Sequence, residues 1–470
     1  MSSNKTILLP IYNGIRAKNF FRNASYSDLV SDPSIRLVII IPPSKLEFYR
    51  TEYPGKNAIF EPLDIISEPP FGIKLSTFVF NLLPTATIRT KQYREYLRYK
   101  GPKVYLKYLI KLVLNVTVGY LGFITRPIIH FLDDKFVSLD PNIAALLKKY
   151  NPDIVLVPDF PPDREVLRAA RRLGFFTVGM IRSWDNLTSK GVVQILPNKL
   201  IVLTSIMRDE AIKYSGMPRK DIVVTGIPHY DEFFKERPVS REEFLKSLGI
   251  PIDRKIILTA PFLYADTKSA EVIIEEFVRA IDDGRLPKNS HLIVRYRPAT
   301  PEISGDKLPK SDRITITIPC EKFFKVNNKQ SPTMDWEFTS KDIDVLINSL
   351  AYSDVVVTYM STLSIDAAVF DKPTINIRFE ADENTAPEEH IAIFSKYVHY
   401  RAVENSGGIK MVWNMKELID ATREYLENPA LDRDGRKKLV QEQIEFTDGQ
   451  SGHRTAEYIK QVLAILPEKV

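Results

Sequence analysis

Short apolar runs that stop at loop-forming residues recur along this chain, and that recurrence restricts its fold more than any other feature. The first half contains 5–10 (KTILLP), 36–43 (RLVIIIPP), 153–159 (DIVLVPD), 175–181 (FFTVGMI), 199–205 (KLIVLTS) and 221–228 (DIVVTGIP). Between the third and fourth runs, Val166, Leu167, Ala170 and Leu173 recur at helical spacing, and Gly174 is placed to stop that helix. Strand, helix and strand joined by short connections require a mostly parallel sheet, because parallel neighbours need a crossover. The second half repeats the theme at 254–261, 291–298, 354–360 and 373–379, with helical patterns at 267–283, 340–352 and 361–370 and a further short strand at 313–318. The expected fold class is α/β with two Rossmann-like domains, 1–232 and 233–450. The irregular, charged stretch 229–240 marks the boundary, and the tail ends in a last helix within 451–470.

Composition narrows the function classes. The single cysteine, Cys320, excludes an intrachain disulfide, and the six histidines lack the short spacings of metal ligands. A reducing, cytoplasmic setting is expected, with no bound metal. The N-terminal apolar run is too short for a secretory signal. The longest uncharged apolar stretch, 112–125, has 14 residues, whereas a membrane span needs about 20. The net charge of +6 is concentrated: between 85 and 132 nine basic residues stand against Glu95 alone, interleaved with Tyr, Leu and Ile. Segment 89–111 reads as a helix lying on an anionic membrane surface, the alternative being a core-packed helix with a solvated basic face. Nucleic acid is not expected, since no recognition motif accompanies the charge.

Five places carry candidate chemistry, each just beyond an apolar run or on one. After 354–360, Ser361 and Thr362 open a helix whose N–H groups favour an anion, and Asp366 follows one turn later, placed to bind a ribose or sugar hydroxyl. The bland alternative is an ordinary capped helix. In 223–234, Gly226 permits close backbone approach and His229 follows Pro228. After 175–181 comes a dense polar set, including Trp184, Asp185, Asn186 and Lys190, in which Asp185 is either a general base or a cap. Arg295 and Arg297 alternate on a strand and so share a face, suited to a diphosphate or to a structural salt bridge. Asn13, Gly14 and Arg16 follow the first strand as an acceptor or phosphate loop; the absence of GxGxxG there argues against NAD or FAD.

The order of these motifs, from Ser-Trp-Asp-Asn-Leu-Thr-Ser-Lys-Gly (183–191) through Gly226-Ile-Pro-His-Tyr-Asp231 to Ser361-Thr362 with Asp366-Ala367, resembles GT-B glycosyltransferases. Within them it is similar to the CDP-glycerol glycerophosphotransferase and UDP-GlcNAc 2-epimerase-like groups. The resemblance covers about 150–470 of the numbering. It implies two facing domains, a nucleotide-sugar held mainly by the second, acceptor chemistry from the first, no cofactor, no metal, and a final helix that crosses back. The pattern departs where Trp184-Asp185-Asn186 replaces a histidine, where Asp366 replaces Glu, and where Arg295-Tyr296-Arg297-Pro298 replaces Arg-x-His-Pro. The Glu-x₇-Glu element of retaining enzymes is missing. These departures favour an inverting sugar transferase acting on a glycan or lipid-linked acceptor in surface polysaccharide synthesis. The implied roles are the diphosphate at Ser361, Thr362, Arg295 and Arg297, hydroxyls at Asp366, the crevice at Gly226 and His229, and proton removal by Asp185. Alternatives are a polyol-phosphate transferase, a UDP-sugar 2-epimerase and a non-catalytic sugar-nucleotide-binding subunit.

Overall fold

The computed structural model describes residues 5–64, 68–160, 163–237, 239–261, 267–296, 309–319, 322–323 and 336–467. Seven strands, β1 (Lys5–Pro10), β2 (Ile35–Ile41), β3 (Ala58–Pro62), β4 (Ile154–Phe160), β5 (Phe176–Ile181), β6 (Lys199–Val202) and β7 (Ile222–Val224), form one parallel sheet in the order β3-β2-β1-β4-β5-β6-β7. Ile7 lies opposite Ile154 and Leu8 opposite Val38. Alternate side chains feed two separate cores, Leu8, Val38 and Val155 one, Ile7, Leu37 and Ile154 the other. Burial on both faces is why these strands read as unbroken apolar runs. Strand β3 (AIFEP) escaped the sequence reading because it is an edge strand, half-exposed along much of its length.

The second half contains β8 (Lys255–Thr259), β9 (Ser290–Arg295), β10 (Ile314–Thr317), a small antiparallel ribbon of β11 (Lys322–Phe323) and β12 (Trp336–Glu337), then β13 (Val355–Thr358), β14 (Thr374–Ile377) and β15 (Ile409–Val412). Its parallel sheet runs β10-β9-β8-β13-β14-β15. Both sheets therefore reverse direction once, at β1/β4 and at β8/β13, leaving a crevice at the carboxyl ends of those strands.

Among the contacts that join the halves, two anchor the second half onto the first sheet and its helices. Glu337 on β12 accepts hydrogen bonds from Lys45 Nζ at 2.6 Å and Tyr49 OH at 2.5 Å inside the first domain. The helix Ser451–Ile465 returns to the first sheet and adds Ala456, Ile459, Val462 and Leu463 to its core. Each of the three larger side chains contributes roughly 1.5–3 kcal/mol on burial. The start of that helix is held by Asp231, which accepts from the N–H of Ser451 at 2.9 Å and of Gly452 at 2.7 Å.

Four helices, Pro70–Leu82, Ala86–Tyr99, Pro102–Val116 and Gly122–Phe136, are inserted between β3 and β4. They share a small core of Leu75, Val79, Leu82, Ile88 and Ile129. The basic stretch 89–111, expected as one surface helix, is instead a helical hairpin that turns at Lys100 and Gly101, both at positive φ. Among the described residues no single helix is long and apolar enough to cross a membrane.

Candidate active site

Chain segments leaving the carboxyl ends of β1, β5, β6, β7 and β13 converge on one cleft between the sheets. Lys18, Arg182, Trp184 and Leu203 from the first half, with His229 and Tyr230 from the connector, face Leu346, Thr362, Ile365 and Asp366 across a cavity of about 190 Å³. Ligands of parallel α/β proteins bind at this position, because loops there vary freely over a rigid sheet.

The titratable groups in the cavity are set apart by their surroundings. Burial pushes the Asp366 carboxyl up to about 6, with the Tyr230 hydrogen bond and Lys18 acting against it. The Tyr230 hydroxyl donates to Asp366 Oδ1. Burial holds the His229 imidazole well below its usual range, and the cations Lys18 and Arg182 lower it further. At neutral pH the cavity therefore contains two cations, a neutral imidazole and a carboxylate close to its own titration range. Trp184 closes one side, its ring edge-on to His399 at 5.0 Å and Tyr400 at 5.9 Å.

Arg182 is oriented from behind. Its Nε lies 3.0 Å from Asp159 Oδ2, and the same carboxylate receives Arg16 Nε at 3.2 Å and Asn186 Nδ2 at 3.3 Å. Arg16 also pairs with Asp163 at 2.5 Å. Burial would raise the Asp159 carboxyl, but Arg182 and Arg16 outweigh it and keep it ionised. A buried carboxylate shared by two guanidiniums fixes the direction in which Arg182 faces the cavity.

Several sequence expectations are corrected by this geometry. Asp185 is absent from the cavity wall: it accepts from Ser183 Oγ at 2.8 Å and Ser189 Oγ at 2.7 Å, and Lys190 Nζ lies 3.5 Å away. Burial alone would raise its carboxyl, yet Lys190, His399 and the two serines hold it well below the usual carboxylate range. A carboxylate so satisfied is a poor base, and Lys190 is likewise engaged. Arg16 and Asn186 belong to the buried Asp159 network and not to an acceptor loop. Asn13 caps the helix Gly14–Phe21 by accepting from Arg16 N–H at 3.0 Å. Gly14 makes a close approach to the second domain, where an added Cβ would lie 2.6 Å from the Trp336 carbonyl oxygen.

Gly226, at φ +89°, makes its close approach to protein and not to a ligand: a Cβ there would fall 2.3 Å from Ser451 Oγ. Arg295 is buried and donates to the Asp342 carbonyl at 3.1 Å, inside the second domain. Ser361 Oγ accepts from the Leu363 N–H at 3.2 Å, so Thr362 is the hydroxyl residue that reaches the cavity. Arg297 lies outside the described residues. Thus Trp184, His229, Thr362 and Asp366 are brought together as read from the sequence. Lys18, Arg182 and Tyr230 were missed. Tyr230 follows His229 inside its motif and Arg182 stands between the run 175–181 and the motif 183–191, whereas Lys18 reaches the cleft only through the turn of its helix.

No protein-family model matches the chain, and no curated protein matches it in sequence. Solved structures do match in fold. The chain superposes on S. aureus MnaA in complex with UDP at TM-score 0.56 and 15% identity, over 99% of both chains. It superposes on UDP-GlcNAc 2-epimerase from Neisseria meningitidis bound to UDP-GlcNAc at 0.55 and 12%, over 97% of this chain and 100% of that one. A glycosyltransferase from Rickettsia africae matches at 0.50 and 13%, over 98% and 99%. The likeness is one of architecture: two Rossmann-like domains in the GT-B arrangement.

Proposed function

We propose that this chain is a glycosyltransferase that moves a sugar from a nucleotide-sugar to the hydroxyl of a glycan or lipid-linked acceptor, with inversion at the anomeric carbon. The carrying observation is one cavity in which Lys18, Arg182 and a neutral His229 stand opposite Thr362 and Asp366. In this reading the diphosphate lies between Lys18, Arg182 and the Thr362 hydroxyl. Those groups neutralise the leaving diphosphate, so the reading calls for neither metal nor cofactor. Asp366, braced by Tyr230, holds a ribose or sugar hydroxyl.

The acceptor oxygen bonds to the anomeric carbon as the bond from that carbon to the diphosphate oxygen breaks, the electron pair leaving on the diphosphate. The hydroxyl proton passes to a ring nitrogen of His229, which takes over the role first given to Asp185. Bound diphosphate offsets the charges of Lys18 and Arg182 and so raises the imidazole toward the range a general base needs. The process served is surface polysaccharide synthesis in the cytoplasm, at the inner face of the membrane.

A second reading, epimerisation at C2 of a UDP-sugar, is supported by the similarity to a solved epimerase bound to UDP-GlcNAc. A thermal-shift screen of UDP-, GDP-, CDP- and dTDP-sugars identifies the donor, since a ligand of the native state raises the unfolding temperature. Proton NMR of the stabilising donor then separates the readings. Turnover only with added acceptor supports transfer; a new sugar-nucleotide formed without acceptor overturns it in favour of the epimerase. A mass gain that includes phosphate indicates polyol-phosphate transfer.

A further inference from the structure

We propose that the outer face of the four-helix insertion, 70–136, is a docking surface for an anionic lipid bilayer. Among the described residues, seventeen of the twenty-four exposed large apolar or aromatic side chains lie on this insertion. They form outward faces at helical spacing. On Pro102–Val116, Leu106, Ile110 and Val113 follow one another at i, i+4 and i+7; on Gly122–Phe136, Phe123, Ile124, Ile128 and Phe131 do the same work. Phe123 is 74% exposed and Leu106 60%. The Phe136 ring lies 5.8 Å from Phe71 and 6.5 Å from Phe131, which makes the faces of the first and fourth helices continuous. Because the insertion already has its own inner core, this apolar area is surplus to folding.

Charge and aromatic placement select the occupant. Lys74, Lys100, Lys103, Lys107 and Lys135 are exposed on the insertion. Its three acids are neutralised or turned inward: Glu95 pairs with Lys107 and Lys111, Asp133 with buried Arg168, and Asp134 with Arg172. Tyr93, Tyr96, Tyr105 and Tyr108 cluster on the helical hairpin with ring centroids 5.4–6.3 Å apart. Tyrosine and lysine around an apolar face suit the headgroup layer, where one end of a side chain is dry and the other wet. No single helix here is long enough to span, and the two adjacent pairs that would reach the length together are bent by 113° and 104°, which suits helices lying in the interface plane. A second copy fits less well, since a two-fold contact would oppose the same lysines to themselves.

The surface is coupled to the cleft. Thr85 Oγ1 donates to the Thr188 carbonyl at 2.8 Å and Lys91 Nζ to that of Ser189 at 2.9 Å, on the turn that carries Trp184. From the second half, Val398 N–H donates to Thr87 Oγ1 at 3.0 Å, and Arg94 Nε donates to the Glu388 carbonyl at 2.7 Å. A bilayer under the insertion would hold the cleft beside acceptors embedded in it; the docking itself does not depend on the donor reading.

The test is flotation of the full chain with phosphatidylcholine vesicles, with and without about 30% phosphatidylglycerol. The wild type should float with the anionic vesicles and not with the neutral ones. Lys103→Gln with Lys107→Gln should weaken binding by about thirtyfold, from ~1 kcal/mol per basic residue. Leu106→Ser with Ile110→Ser should abolish it, and both doubles should unfold at the wild-type temperature because the residues are exposed. Absence of flotation at low salt, or flotation unaffected by both doubles, overturns the proposal. So does a dimer in gel filtration that Leu106→Ser with Ile110→Ser dissociates while the wild type binds no vesicles.

Discussion

Replacing Asp366 by Asn should stabilise the protein while impairing it, and the gain should depend on pH in a defined way. The folded carboxyl is raised from 3.8 to about 6 by burial, so the native state holds its proton more tightly than the unfolded chain. Stability from this group is complete below the unfolded value and is lost as pH rises through about 6. Two pKa units correspond to about 3 kcal/mol, which Asn, unable to ionise, does not lose. At pH 8 the variant should therefore be more stable by that order, at pH 5 by roughly half as much, and below the unfolded value hardly at all. Asn keeps an oxygen to accept from Tyr230, so the comparison isolates the charge. Paired thermal and urea unfolding of both proteins from pH 5 to 8 reads the difference. For a domain of this size each kcal/mol is worth about 2–4 °C. A difference that is flat with pH, or a variant no more stable than wild type at pH 8, would refute the claim that burial destabilises this carboxylate. Loss of turnover alongside the gain is the expected trade at a site held ready for a ligand.

Lys18→Met and Arg182→Met should each weaken UDP binding about 10–100-fold by calorimetry, the range for a charge-assisted hydrogen bond. Arg16→Met should instead lower stability by about 1–3 kcal/mol, because it removes a buried partner from Asp159, which keeps Arg182, and from Asp163, whose carboxyl burial pushes up to about 8; unchanged urea unfolding would contradict the network. Asp185→Asn should leave donor affinity unchanged and turnover detectable; abolition of turnover with intact binding would restore Asp185 to the catalytic role. Gly226→Ala should cost more than 1 kcal/mol, since the residue sits at positive φ and its Cβ would meet Ser451. Faster amide exchange at the start of the helix Ser451–Ile465 would locate the loss.

The site was legible where local sequence fixes position and illegible where it does not. Thr362 and Asp366 follow a strand end directly, and His229 follows Pro228 in a stiff turn, so their place at the crevice is implied by the chain itself. Arg16 looked equally suited, being a cation in the loop after β1, yet a carboxylate 143 residues away takes it. Lys18, two residues on, is the one that reaches the cavity. Nothing local distinguishes the two. Asp185 is ambiguous in the sequence for the same reason: whether a strand-end acid is free or engaged depends on whether Ser183 and Ser189 turn toward it.

The amino-acid order alone determined that the chain would build two parallel sheets, because apolar strand runs and helical periodicity are properties of near neighbours. It also determined that positive charge and aromatic residues would be concentrated before β4. Tertiary structure decided which cations face the cavity and which are neutralised behind it, that Gly226 serves the returning helix and not a ligand, and that the inserted helices turn an apolar face outward. Those outcomes rest on contacts between residues hundreds of positions apart, such as Gly226 with Ser451 and Lys45 with Glu337. Burial, the largest cause of the shifts at Asp366 and His229, exists only once both halves have closed on each other.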